Sequence, residues 1–275
     1  MDLDELYDVP SWEWPEGTKE KLLDLVQDTG ASPEDRETAA ELFSDISIMD
    51  DTVAGMLLKI ASDADEDPMV RGTAAVALGS ALEFVGMEGF EDPEEMPLSE
   101  KAFKEIQQKF YELYHDPRTP EVVRRNVLEG SVRAPQEWHR QAVAASYASG
   151  DDEWKLTAVF CMRWIDGFEQ QILESLESDD PDIVYQAVCA AGAWGVPEAA
   201  PVLEALLQLE EIDEELLFAT IEAVATVMPE RAPEVLGELL NSDDPEVVDV
   251  VEEALATAKS ILTLQEGNGN GAGKD

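Results

Sequence analysis

Five prolines that recur along the chain ahead of similar segments stand directly behind a residue able to cap a helix: Ser32-Pro33, Asp67-Pro68, Thr119-Pro120, Asp180-Pro181 and Asp244-Pro245. A side-chain oxygen in that place accepts a hydrogen bond from one of the backbone N–H groups that a first helical turn leaves without a partner. Proline inside that turn loses no needed donor and presets φ. Each pair therefore reads as a helix start. The residues behind each proline are also alike. Offsets 6, 7, 9, 10 and 11 from Pro68 give Ala74, Ala75, Ala77, Leu78 and Gly79, and from Pro181 they give Ala187, Val188, Ala190, Ala191 and Gly192. From Pro33 the first four are Ala39, Ala40, Leu42 and Phe43. Weaker copies without the proline begin at Asp152 (Ala158, Val159, Cys161, Met162) and near Asp213 (Ala219, Ala223, Val224). Anchors at 33, 68, 120, 152, 181, 213 and 245 are separated by 35, 52, 32, 29, 32 and 32 residues, one period interrupted once. A fixed period of this length is the mark of a repeat architecture.

Ahead of the anchors lie second amphipathic runs with apolar residues three or four apart: Leu22, Leu23, Leu25, Val26; Val53, Met56, Leu57, Ile60; Ile172, Leu173, Leu176; Val202, Leu203, Leu206. That spacing puts them on one face of a helix, so each repeat is a helix pair. No β-rich alternating run or Asn-Gly hairpin signal separates the pairs. A pair about 30 residues long cannot bury its apolar face alone, and stacking of neighbours supplies the core. The sequence thus predicts an all-α chain, an α-α superhelix (α-solenoid) of about seven helix pairs over residues 18–262. Residues 1–17, with Trp12 and Trp14, read as an arm capping the first pair. Residues 86–99 read as an insertion that accounts for the 52-residue spacing. Residues 263–275, rich in Gly and Asn, read as a flexible tail.

DEDPMVRGTAAVALG and DDPDIVYQAVCAAGAWG resemble the second helix of HEAT repeats, in particular the short bacterial and archaeal type also found in phycobilin lyase subunits. The segment VVRRNVLEGSVRAPQEWHRQAVAASYASGDDEWKLTAVFCMRW is similar to a pattern in uncharacterised prokaryotic HEAT proteins. The resemblance implies a helical scaffold and no particular activity, because this repeat carries many unrelated roles. It also implies an Asp-Arg ladder between neighbouring repeats. Arg36 and Arg71 match the arginine of the pattern and Arg124 lies one position later, whereas Val184 and Val248 replace it.

The chain holds 62 Asp and Glu against 18 Lys and Arg, a formal charge of -44, with an ordinary 44% of hydrophobic residues. Such a chain folds, but it repels the phosphates of nucleic acid and anionic lipid. Acid spread along nearly the whole length points to the solvated surface of a protein from a salt-rich cytoplasm. MDLDELYDV has neither a basic nor an apolar leader region, and no run of about 18 apolar residues occurs, so a soluble, cytoplasmic protein is expected. Cys161 and Cys189 fall in apolar helical stretches as small buried hydrophobes.

Catalytic signatures for phosphate cradling, dinucleotide binding, serine hydrolysis or zinc proteolysis are missing, and no cofactor, metal site or catalytic residue is assigned. His115 and His139 lack a second ligand at helical spacing. The acid pairs Asp50-Asp51, Asp151-Asp152, Asp179-Asp180 and Asp243-Asp244 are explained mainly by capping. The informative feature is where acid is scarce. Residues 101–163 carry 10 of the 18 basic residues against 9 acids, while the other 212 residues carry 8 against 53. Aromatic residues interleave with them, and Arg, Trp and Tyr are the types enriched at interface hot spots. The candidate partner-binding set is Arg118, Arg125, Arg133, Trp138, His139, Arg140, Trp154, Lys155, Arg163 and Trp164 on the third to fifth repeats. These residues either present a neutral-to-basic patch on an acidic protein or form internal pairs and fill the core. The expected role is a noncatalytic scaffold for another protein, with the oligomeric state open. The alternative is a phycobilin-lyase-like or other small-molecule-binding enzyme subunit. HEAT-like DNA glycosylases need a basic groove and fit the charge poorly.

Overall fold

A computed structural model describes residues 3–7, 9–92, 95–209 and 211–269. These are helices, 3-10 turns and loops, and among the described residues no helix is long and apolar enough to cross a membrane. The chain divides into two compact units, residues 1–142 and 143–275.

In the first unit the short helix α1 (Asp4–Tyr7) precedes the pair α2 (Thr18–Gln27) and α3 (Pro33–Glu41). Next come the pair α4 (Asp51–Ser62) and α5 (Pro68–Ala77), then α6 (Gly79–Glu88), then the pair α7 (Glu100–His115) and α8 (Glu121–Ser131). The expected caps form: Ser32 accepts the Asp35 N–H, Asp50 those of Thr52 and Val53, and Asp67 that of Met69. Second helices stack on one another, α3 on α5 and α5 on α8, while α4 lies beside α7. The repeating small residues decide how closely they stack. A Cβ built on Gly130 of α8 falls 2.4 Å from the Ala75 carbonyl oxygen of α5, so only glycine fits.

Arg36 and Arg71 are 4% exposed, and each closes its own helix pair. Arg36 Nε–H donates to the Val26 carbonyl at the end of α2 (2.9 Å), and Arg71 Nε–H to the Ala61 carbonyl near the end of α4 (3.1 Å). The Arg36 guanidinium then reaches forward to Glu66 of the next repeat with two hydrogen bonds, one of 2.7 Å. These bonds hold the Glu66 carboxyl below the usual carboxylate range. It answers, with Glu66 in place of Asp, the ladder that the resemblance implies, whereas Arg71 forms no such forward ion pair among the described residues.

Three details depart from the sequence reading. Thr119 is buried and does not cap. Pro120 itself stands at the N-cap of α8, without a side-chain bond. The material in the long-spaced repeat begins as α6 at Gly79 and is helical as far as Glu88, ahead of the loop expected over 86–99, because Ala81, Leu82 and Val85 bury one helical face. Leu98 is buried, Phe90 meets the ring of Phe103 edge to face at 5.7 Å, and the Ser99 N–H donates to Asp51 (2.8 Å), which ties the loop to α4. Finally, of the two arm indoles only Trp14 covers the first pair. It packs on the core and donates to the Leu6 and Val9 carbonyls, whereas Trp12 is 79% exposed. Buried Leu6 takes the covering role instead.

Helix α9 (Glu137–Tyr147) runs across the boundary between the units, and α10 (Asp152–Cys161) comes next in the chain. The second unit continues with α11 (Glu169–Ser175) and α12 (Pro181–Trp194), α13 (Ala200–Leu206) and α14 (Glu214–Val227), and α15 (Ala232–Leu236) and α16 (Pro245–Gly269). Again second helices stack, α10 on α12, α12 on α14 and α14 on α16. No arginine ladder operates at Val184. Instead the Trp194 indole N–H donates to the Met162 carbonyl (2.7 Å), and the Thr226 hydroxyl to the Gly192 carbonyl (2.8 Å). Gly195, at φ +56°, ends α12, and the Val196 N–H returns to the Ala191 carbonyl in a Schellman closure. The expected tail over 263–275 starts as helix, since α16 continues to Gly269; residues 270–275 lie outside the described part.

Candidate functional site

The first unit gathers aromatic rings where α7 ends and α9 begins. Helix α7 is capped by Ser99, whose hydroxyl oxygen accepts the Ala102 N–H, and it ends in YELYH. His115 Nδ1–H donates to the Tyr111 carbonyl (2.9 Å), which places a basic ring against the last turn where helix carbonyls lack partners. Asp116 comes next as an Asx turn. It accepts the Arg118 N–H (3.0 Å) and the Arg118 guanidinium (2.7 Å), and these bonds hold its carboxyl down at about 2.

The start of α9 is fixed by His139. Its Nδ1 accepts the Gln136 N–H (2.8 Å), the task that Glu or Gln performs in a capping box. Because a backbone N–H can only donate, the proton sits on Nε2, which donates to Ser131 Oγ (2.9 Å), and that hydroxyl donates to the Leu128 carbonyl. His139 is wholly buried, and burial pushes its pKa down to about 4. It is therefore a corrected member of the candidate set, a neutral structural histidine with no surface to offer. What it positions is its neighbour. Trp138 stacks on the His139 ring at 3.8 Å, and its indole N–H donates to Gln136 Oε1 (3.0 Å). So held, Trp138 lies 5.8 Å from Tyr111, 5.0 Å from Tyr114 and 5.4 Å from His115. Trp138 remains half-buried and Tyr111 is 42% exposed, so the cluster keeps an open ring face.

The arginines divide. Arg118 is exposed three residues after His115, and among the described residues it pairs with Asp116 of its own turn. Arg133 turns inward to Glu83 (3.5 Å), and its side chain fills the space that a Cβ on Gly79 would need. Arg125 is half-buried and Arg140 exposed. In the second unit Trp154 is buried at 8% exposure, another correction, because α10 turns it into the core as a capped residue of the first turn. Lys155 sits over the Tyr147 ring at 5.7 Å. Arg163 is exposed over the half-buried Trp164 ring at 5.5 Å, and that ring packs against Phe160 at 4.8 Å. Two separate groups result, the Tyr111–Tyr114–His115–Trp138 ring cluster in one unit, followed along the chain by exposed Arg118, and Arg163 over Trp164 in the other.

Tyr111 falls within the acid-poor window but outside the candidate set. Its place four residues before His115, a spacing that brings two side chains together on one helical face, is the signal that points to it. Elsewhere the acid pairs perform caps: Asp151 accepts the Trp154 N–H, Asp180 that of Asp182 and Asp244 that of Glu246. Cys161 is buried, and burial pushes the Cys189 thiol up, so both behave as small hydrophobes.

Residues 169–256 match the family described as HEAT repeats. Over that span the chain carries HEAT repeats. The matched span opens with α11 and closes within α16, so it takes in the last three HEAT pairs. No curated protein matches the chain. Among solved structures it is similar to YibA of Escherichia coli (16% identity, 93% of each chain, TM-score 0.44). It is also similar to human deoxyhypusine hydroxylase in complex with glycerol (17% identity, 94% of this chain and 88% of that one, TM-score 0.41). A third is Kap95p in its complex with RanGDP (15% identity, 87% of this chain and 34% of that one, TM-score 0.44). None of these likenesses bears on the side chains of the two aromatic-basic groups.

Proposed function

We propose that this HEAT-repeat protein is a noncatalytic scaffold that binds another protein in a salt-rich cytoplasm, through the aromatic-basic groups of its third to fifth repeats. The observation that carries the reading is the ring cluster around Trp138. Its rear is fixed by His139, Gln136 and Ser131, while Tyr111 and Arg118 stand in solvent. A rigid, part-exposed aromatic cluster with an exposed arginine in the turn that follows it has the composition of an interface hot spot. The formal charge of -44 supports a protein partner over nucleic acid, and Arg163 over Trp164 offers a second contact of the same kind. Residues 1–17 serve as the cap of the first pair through Leu6 and Trp14.

The test is an affinity capture from native lysate at the host's salt, comparing the wild type with a Tyr111→Ala, Arg118→Glu, Arg140→Glu variant. Trp138 and His139 are left intact so that α9 keeps its start. A stoichiometric protein lost in the variant is the expected result. Complexes unchanged by the substitutions would overturn the surface, and a coloured or small-molecule species copurifying in place of a protein would overturn the scaffold.

A further inference from the structure

Away from the ring cluster, the first helices of the second and third repeats leave a groove between them. It encloses about 390 Å³ along α4 and the first half of α7. Its floor is apolar: Ala54 and Leu58 from α4, Ala102 and Ile106 from α7, with Ile106 and Ala54 fully buried beneath. Gly55 forms a notch in the α4 wall. It is exposed, and a Cβ built on it meets nothing within 4 Å.

The rim is where the charge of the molecule is reversed. Lys59, Lys101 and Lys109 stand along the groove against Asp51 and Glu105. Asp51 is already occupied as acceptor of the Ser99 N–H, and Lys109 is paired with Glu112 at 2.8 Å. Among the described residues neither Lys59 nor Lys101 has a carboxylate within 4.0 Å. In a chain with more than three acids for each base, two lysines beside an apolar floor with no ion pair among the described residues leave a charge that a partner can meet. The groove is lined along α4 from Asp51 to Ser62, a run of about 16 Å at a helical rise, the length of roughly three turns of a helix laid in it. We infer that this groove docks an acidic amphipathic peptide segment of another protein, its apolar side chains on the Leu58–Ile106 floor and its carboxylates on Lys59 and Lys101. The inference rests on the reading of the chain as a protein-binding scaffold and adds a second surface with a stated partner chemistry. Helix-in-groove recognition of this kind reads anchors three and four residues apart.

Selection of phage-displayed random dodecapeptides on the immobilised full chain tests it, with affinity measurement of the enriched peptides on three proteins. These are the wild type, Lys59→Glu/Lys101→Glu, and Gly55→Leu. The last fills the notch from an exposed helical position where a Cβ meets no atom within 4 Å, and circular dichroism checks that both variants fold. Enriched peptides should carry a net negative charge with Leu, Ile or Val three or four apart. They should lose at least ten-fold in affinity on each variant. Enriched peptides that are basic, peptides that bind all three proteins equally, or no enrichment would each overturn the groove. So would a dimer in sedimentation that Gly55→Leu dissolves, since the groove would then hold a second copy. A partner still captured through Tyr111 and Arg118 in that event would leave the scaffold standing, whereas loss of both binding modes would remove the scaffold as well.

Discussion

Glycine positions on the stacked second helices separate permitted from forbidden volume within a few residues. The Cβ of Gly130→Ala would lie 2.4 Å from the backbone oxygen of Ala75, and a backbone atom cannot swing away. Overpacking of this sort costs about 2 to 3 kcal/mol or more, to be read as a fall in denaturant midpoint. Gly55→Ala meets no atom and should stabilise the same unit by roughly 0.5 to 1 kcal/mol through helix propensity alone. His139 sets a different limit. Protonation would have to place a hydrogen on Nδ1, opposite the Gln136 N–H, inside a buried pocket. A histidine held neutral in the fold binds fewer protons than the unfolded chain below its ordinary pKa. Its share of the stability is therefore complete above pH about 6.5 and drains away as pH falls toward about 4, by about 3 kcal/mol in all. The difference between wild type and His139→Gln in unfolding free energy across that interval isolates this share from the carboxylates, and a difference that stays flat would contradict it.

Among elements, the ladder rung between the first two repeats is the firmest electrostatic tie. Arg36 is 4% exposed and joins the Val26 carbonyl to Glu66, so Arg36→Ala leaves a nearly buried carboxylate without its cation. Losing one partner of such a pair costs about 3 to 5 kcal/mol, measurable by denaturation of the variant beside Glu66→Gln, which should cost less because it leaves no charge behind. The helix pairs themselves were legible because capping, proline and the 3.6-residue period agree at Ser32, Asp67 and Asp180. Three features were not. Pro120 precedes the helix instead of opening it, so Thr119 falls one residue short of the capping position. The apolar face of α6 lies within a segment whose Gly86 and Gly89 read as loop. Whether an arm indole lands on the core or in solvent depends on where Trp12 and Trp14 fall around a 3-10 turn, which no periodic pattern records.

For the whole molecule, a charge of -44 stores self-repulsion that added salt relieves. The Tm should rise by several degrees between dilute buffer and molar salt. A Tm indifferent to salt would count against the salt-rich setting. The neutral-to-basic window was legible from counting, and it located the ring cluster because Tyr111, Arg118 and Trp138 all fall inside it. Counting could not tell Arg118, exposed at a turn, from Arg133, folded under Glu83, nor Trp138 from Trp154, because that choice is made by the rotation of each helix about its axis. It also passed over Lys59, which joins Lys101 and Lys109 only after α4 and α7 lie side by side.

The ties between neighbouring repeats change character along the chain. In residues 1–142 the tie is Arg36 with Glu66, an arrangement that a proton on Glu66 undoes, so its contribution is full above the ordinary carboxylate range and fails as pH drops through the lowered value. In residues 143–275 the ties from Trp194 and Thr226 end on carbonyl oxygens and neither donor titrates in acid, while the carboxylate tie there, Arg231 with Glu204, is solvent-exposed and contributes little. Acid is thus a selective solvent for this protein. Amide exchange tracked down the pH scale should find the backbone around Val26 and Glu66 opening while that around Met162 and Gly192 still keeps its hydrogens.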